Sequence, residues 1–317
     1  MNIELSAEAT EYGAAALRAF ESAGGDALIE SAERDPGGRD KLVAPVFDGL
    51  GAWELEPRKN GDELEAAAAL CRSAGHWAVP YPVAERLSRP TDLDVDGLLV
   101  VADRNPAAAV ADLDLLWAAV TLTGQRAVAT ARSTGESPRT SAFAFVAPLE
   151  LESLDAGGAA DVALGLVLPC WTLLGMLDRA LALTRTHVLL REQFGRPLAQ
   201  LQGVQFQLTD AEVERSGVEV LAKYALWSVQ AGHDEAVDDA LALRLAAIEA
   251  ADVVFRVAHQ LHGATGFCDE TTLSWLSRYS LPLRRLPLGL SATGAALTAR
   301  LGRRGLTGLF NDEAVAP

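Results

Sequence analysis

From Ser6 to about Leu87 the chain runs in short apolar steps rich in Ala, Leu and Glu, broken at Gly24-Gly25, Pro36-Gly37-Gly38 and Lys59-Asn60-Gly61. This pattern predicts a small helical region, and it is clearest over 62–75, where Leu64, Ala67, Ala68, Cys71 and Arg72 recur at steps of three and four. Ser6 opens the first helix, and the prolines at 80 and 82 make Trp77 to Pro82 a bend between helices. Between 96 and 148 the period shortens. The runs 97–102, 118–123, 127–131 and 141–146 are short, partly β-branched and separated by turn residues, as expected of strands in a small sheet. Leu122 to Gln125 and Thr134 to Pro138 read as hairpin loops, and 155–160 as a linker back to helix. Three long helical stripes follow, over 161–194, 198–231 and 235–261, joined at Gly195-Arg196-Pro197 and Gly232-His233, and a last stretch starts at Leu273. Long helices with short joints pack as an antiparallel bundle. The expected fold is therefore mainly α with a small β domain: a helical domain over 1–95, a reduced β domain over 96–155 and a four-helix bundle over 156–317.

Composition narrows the possible partners. Half of the 317 residues are apolar, enough for a large core, and 43 acidic against 27 basic residues give a net charge of -16. Such a surface repels phosphate backbones and anionic membranes, so neither nucleic acid nor membrane is expected as a partner. Because Lys occurs only at 41, 59 and 223, an anionic ligand has to be met by arginine. Cys71, Cys170 and Cys268 are odd in number, distant and outside any C-x-x-C pair, which argues for a reducing cytoplasm and against a disulfide framework or a zinc site. The N-terminus lacks the pattern of a secretory signal. The apolar run 162–177 falls short of the roughly 20 residues of a membrane span and reads as a buried helix. His259 and His262 have no third ligand at a metal-binding spacing and read as ordinary helix-end histidines.

Three segments carry chemistry: Arg191-Glu-Gln-Phe-Gly-Arg-Pro-Leu198, Leu201-Gln202-Gly-Val-Gln205 and Gln260-Leu-His-Gly-Ala-Thr-Gly-Phe267. In order and spacing they resemble the acyl-CoA dehydrogenase family, whose bundle carries R-x-Q-F-G-x-P, F-Q-x-x-Q and Q-x-x-G-G-x-G-F segments. The resemblance covers about 161–290. It implies FAD held between subunits, with the bundle of one chain reaching the adenosine and pyrophosphate end of a flavin seated on its neighbour. Carried over residue by residue, the cofactor-binding positions are Arg191, Gln193, Phe194, Gln202, Gln260, Gly263, Ala264 and Gly266. A guanidinium suits a pyrophosphate because it offers a fixed fork of donors. Gly195 is expected to end the first bundle helix, and Ala264 stands where the family has its second glycine.

The same resemblance implies losses. Family enzymes remove the substrate α-proton with a glutamate while the flavin takes a hydride from the β-carbon. At the two places where that base occurs, this chain carries Gly165 and the neighbourhood of Pro287 and Leu288, so no catalytic residue is assigned; Asp269 and Glu270 follow the Gly-Phe pair but do not match the base. The T-E-P-x-x-G-S-D segment that cradles the flavin ring and the P-E-x-x-G-G segment before the acyl pocket have no match either. The resemblance thus implies a non-catalytic subunit paired with a longer catalytic subunit in an α2β2 heterotetramer. That partner supplies the flavin seat, the acyl-CoA pocket and the glutamate, and the substrate is a bulky acyl-CoA of the steroid side-chain type. Two other readings stay open: a cofactor-free helical scaffold, and a homomeric flavoenzyme with a displaced base.

Overall fold

A computed structural model describes residues 3–132 and 145–305. The expected loop at 134–138 and most of the expected strand at 141–146 lie outside those residues.

The N-terminal part holds α1 (Ala7–Ala23), α2 (Ala27–Arg34), α3 (Arg39–Gly49), α4 (Gly61–His76) and the short α5 (Val83–Leu87). Local chemistry sets the ends. The Ser6 hydroxyl accepts from the Ala9 N–H to cap α1, and Asn60 does the same for α4 from the Asp62 N–H. Phe20, Phe47, Leu64 and Leu70 are fully buried and centre the packing.

Five strands follow: β1 (Gly97–Val101), β2 (Ala107–Ala108), β3 (Trp117–Thr121), β4 (Arg126–Ala131) and β5 (Ala147–Ser153). They form one sheet in the order β1-β3-β4-β5-β2, in which β1 and β3 run parallel and the other neighbours antiparallel. The loop between β3 and β4 sits where expected, at 122–125, with Gly124 at φ 82°. A small core of Leu99, Val101, Val110, Trp117, Ala119, Ala129 and Leu149 lies on one side of this sheet.

The C-terminal part contains α6 (Ala159–Leu190), α7 (Gln202–Gln230), α8 (Ala236–His262), α9 (Thr272–Arg285) and α10 (Leu290–Arg304). The four expected bundle helices are thus joined by a fifth, α10, packed against α8. Helix α6 is long and apolar enough to cross a membrane, but 83% of that window is buried inside the protein, so it is a core helix. It stops at Leu190 rather than near 194, and the residues beyond it form a two-stranded hairpin, β6 (Glu192–Gln193) and β7 (Arg196–Pro197).

Helices α4 and α6 cross with their backbones in contact. A Cβ on Gly75 would fall 1.9 Å from the Thr172 carbonyl oxygen, and one on Gly175 would fall 1.9 Å from the Arg72 carbonyl oxygen. Each helix thus offers a glycine to the other's backbone. Beside this crossing an ionic cluster ties α4, α6 and α7: Arg72 Nε meets Asp178 at 2.7 Å and its Nη1 meets Glu219 at 3.1 Å, while Arg215 Nη1 lies 2.7 Å from Glu219 and 3.2 Å from Asp178. Burial alone would raise the Glu219 carboxyl, but the hydrogen bonds and charges of Arg72 and Arg215 outweigh it and bring it down to about 2. A carboxyl held below its ordinary value contributes stability that is complete above about pH 4.5 and is lost as the pH falls toward 2. We expect Glu219→Gln to lower unfolding free energy at pH 7 by about 1–3 kcal/mol and to leave little difference near pH 2.5, as read from urea midpoints at the two pH values.

A second cluster holds the three parts together. Arg58 donates to the carbonyl oxygens of Ser88 and Arg89 and pairs with Asp161 at 2.8 Å, at the start of α6. Arg126 of β4 pairs with Asp92 and Asp155, each at 2.8 Å.

Candidate cofactor half-site and the adjoining cavity

The residues singled out in the sequence gather where α6 ends, α7 begins and α8 ends. Arg191 leaves the helix with extended backbone, φ -78° and ψ 120°, and its carbonyl accepts from the Leu198 N–H at 2.8 Å to close the hairpin. At the tip, Phe194 and Gly195 have φ 54° and 75°. Two successive left-handed residues are what a type I′ turn requires, and such a turn matches the twist of the strands it joins. Glycine is at ease there; phenylalanine bears a steric cost, and its ring is 87% exposed. Gly195 therefore shapes a hairpin tip and does not end the helix.

The hairpin leads through a single 3-10 turn, Leu198–Gln200, into the 29-residue α7, whose first residue is Gln202. That helix start has no side-chain cap and no acidic residue in its first turn, so the Gln202 and Gly203 N–H groups point outward with the positive end of the helix dipole behind them. A Cβ on Gly203, Gly263 or Gly195 would meet nothing within 4 Å. The end of α8 is joined to this region through His187 and His262, whose rings stack at 4.3 Å. Burial lowers the pKa of both; the charges of His262 and Arg191 add to the effect on His187. A 3-10 turn, Gly263–Phe267, follows α8, and Phe267 lies flat on His259 at 4.2 Å.

Arg191, Gln193, Phe194, Gln202, Gln260, Gly263 and Ala264 are all exposed. Gly266 is not: it is buried, and a Cβ there would fall 2.9 Å from that of His262, so its small size serves the packing of the 3-10 turn on α8. Arg191 and Arg196 are exposed and make no ion pair among the described residues. Around them Leu189, Leu190, Phe206 and Phe267 expose apolar surface. Arg196 was not singled out in the sequence; an E-Q-F-G-R run with glycine in the second turn position is the signal that places it in a hairpin. The donors present suit the diphosphate end of a dinucleotide: one free helix start, unpaired guanidinium groups and glycines with open space beside them. Among the described residues no group of three His, Cys, Asp or Glu side chains is placed to hold a metal.

The two positions without a base meet at one place. Gly165 and Pro287 both line a cavity of about 120 Å³ between the 78–85 bend, the sheet and helices α6, α8 and α9. At Gly165 the space for a side chain is already filled, since a Cβ would fall 2.6 Å from Cγ2 of Val100. Asp269 and Glu270 are exposed and do not line this cavity. One carboxyl does: Glu85, in the helix after Pro82, which the sequence reading passed over. Burial pushes it up to about 7.

Comparison with known proteins bears on the bundle and on the fold. Residues 167–287 match the sequence model of the acyl-CoA dehydrogenase C-terminal domain. Over 123 residues the chain is 35% identical to 3-sulfinopropanoyl-CoA desulfinase of Paraburkholderia xenovorans, which is 38% of this chain and 28% of that protein. Over 92 residues it is 33% identical to the acyl-CoA dehydrogenase FadE28 of Mycobacterium tuberculosis, 29% of this chain and 27% of that one. The matched segment thus spans little more than a quarter of these relatives. The fold likeness is wider. A steroid acyl-CoA dehydrogenase, Tcur3481-Tcur3483, superposes with a TM-score of 0.78 at 19% identity, over 96% of this chain and all of that one. The ChsE4-ChsE5 complex of Mycobacterium tuberculosis does so with 0.66 at 18% identity, over the whole of both chains. The chain has the acyl-CoA dehydrogenase fold, and within it residues 167–287 resemble the C-terminal domain of that family.

Proposed function

We propose that this chain is a non-catalytic subunit of a heteromeric, FAD-dependent acyl-CoA dehydrogenase and lends a half-site to the flavin of a longer partner. The observation that carries this is the pairing of a free site with a closed one. The hairpin, the start of α7 and the end of α8 present unpaired arginine, a bare helix terminus and an 87% exposed Phe194 to something outside the chain. At Gly165, Val100 fills the space a base would need. FAD, seated on the partner, supplies hydride acceptance. Arg191 and the α7 N–H groups would hold its diphosphate, and Phe194 would lie against the adenosine end. Gln193, Gln202, Gln260, Gly263 and Ala264 would complete the contact. The exposed apolar rim, continued on α7 by Phe206, Val213 and Val220 at seven-residue steps, supports burial against a partner in an α2β2 assembly. A bulky acyl-CoA of the steroid side-chain type is the substrate class we infer, in keeping with one fold neighbour, a steroid acyl-CoA dehydrogenase.

The test is to purify the chain with its longer partner and measure flavin absorbance against protein mass. About one flavin per pair and none on this chain alone is the expected result. Flavin on this chain alone, or in no combination, would overturn the reading.

A further inference from the structure

The half-site contains a titratable pair that the proposed function leaves unused. His187 lies in the last turn of α6 and His262 in the last turn of α8, and their rings stack at 4.3 Å with planes 23° apart. The two imidazoles differ in their bonding. His262 Nδ1 lies 2.8 Å from the Ala258 carbonyl oxygen and donates its hydrogen there, which fixes both ring and tautomer. The His187 ring is half-buried and has no hydrogen bond among the described residues. The backbone of His187 is engaged: its carbonyl accepts from the Arg191 N–H at 2.8 Å, where α6 gives way to the hairpin. A free imidazole thus stands one helical turn before the arginine of the half-site.

Its surroundings hold the pair neutral but close to charging. The carbonyl ends of α6 and α8 favour a cation in both last turns. Burial opposes it, and so does the Arg191 cation, which acts on His187. No carboxylate among the described residues acts on either ring. The 3-10 turn Gly263–Phe267 and the stretch from Leu198 to Thr209 carry no titratable side chain, the hairpin brings Glu192 and Arg196, both exposed, and on α8 the His259 ring lies flat on Phe267. Two cations 4.3 Å apart repel, so the pair has room for one proton. Of the two rings, His187 is the one that feels Arg191, and therefore the one that an anion held by Arg191 reaches first.

We propose that His187, backed by His262, is a further residue of the diphosphate site: uncharged in the free chain, it takes up one proton as a diphosphate binds beside Arg191, and so places a second cation there. The assignment rests on the flavin half-site proposed above. The proton passes from solvent to a free ring nitrogen of His187, and the dianionic diphosphate is then met by two cations in addition to the α7 N–H groups. A ligand that draws a proton onto its site binds more tightly as the pH falls, by linkage.

Titration calorimetry of FAD into the flavin-free complex of this chain with its partner, at pH 6.5 in two buffers of different ionisation enthalpy, counts the protons. Wild type is expected to take up about half a proton or more per flavin beyond His187→Phe, which keeps a stacked ring and cannot titrate. Between pH 8 and pH 6.5 the wild-type affinity should rise roughly 5- to 10-fold, and that of His187→Phe by less than about twofold. His262→Phe leaves His187 its free nitrogens and should keep most of the uptake. If His187→Phe does not assemble, His187→Gln carries the same expectation. Equal uptake in wild type and variant, or a wild-type affinity that falls with the pH, would overturn the assignment of His187 while leaving the half-site standing; no binding of FAD to the wild-type complex at either pH would remove the half-site and the role of His187 with it.

Discussion

Gly175→Ala is expected to prevent this chain from reaching its native fold. The added methyl would lie 1.9 Å from the carbonyl oxygen of Arg72, on a helix whose own Gly75 presses on Thr172 in return. No rotamer change relieves a contact with backbone, so α4 and α6 would have to separate, and the core between them, including Leu70 and Trp171, would open. Overpacking of this kind costs about 3 kcal/mol or more, a large part of the 5–15 kcal/mol that holds a typical domain together. Gly217→Ala is the control: it lies on the exposed face of α7 with nothing within 4 Å, and should raise stability by about 0.5–1 kcal/mol through helix propensity alone. Soluble yield and urea unfolding of the two variants, side by side, decide the matter; a normally folded Gly175→Ala protein would mean that the two helices do not meet through their backbones.

Arg191→Ala is expected to release flavin from the assembled complex while leaving this chain folded. The side chain is exposed and makes no ion pair, so its loss removes no internal contact, yet it stands where α6 gives way to the hairpin that leads to the bare α7 terminus. Hydrogen bonds to charged groups are worth about 1.5–3 kcal/mol, which corresponds to roughly 10- to 150-fold weaker flavin retention. Equilibrium dialysis of the complex against flavin gives the ratio directly. Unchanged retention, with the fold intact by circular dichroism, would show that Arg191 does not reach the cofactor.

How legible was this in the sequence? The stripes of α7 and α8 were plain, because Val204, Ala211, Val218 and Leu241, Ile248 face the core at helical steps. The hairpin at 192–197 was not: its residues continue the amphipathic spacing of α6, and only the Phe194-Gly195 pair, left-handed at both positions, diverts the chain. Strand β5 was passed over because Pro148, Glu150 and Glu152 make it look like loop; in the fold they point outward while Ala147 and Leu149 are buried. The glycine at 165 is plain in the sequence, whereas the side chain that occupies the space beside it, Val100 of β1, needed three dimensions. Glu85 was missed for a similar reason. It follows a Pro-bracketed bend, and nothing in Tyr81 to Leu87 says that a sheet and three helices will close over it.

The type I′ tip has a thermodynamic consequence. Since Phe194 and Gly195 already occupy the turn in the free chain, presenting Phe194 to a neighbour costs no further ordering of the backbone. If the cofactor is clasped by two chains at once, linkage requires that whatever factor it adds to subunit affinity, subunit association returns to cofactor affinity. Under the proposed function flavin is then also an assembly factor, and cells short of it would accumulate separated subunits before they accumulated empty complexes.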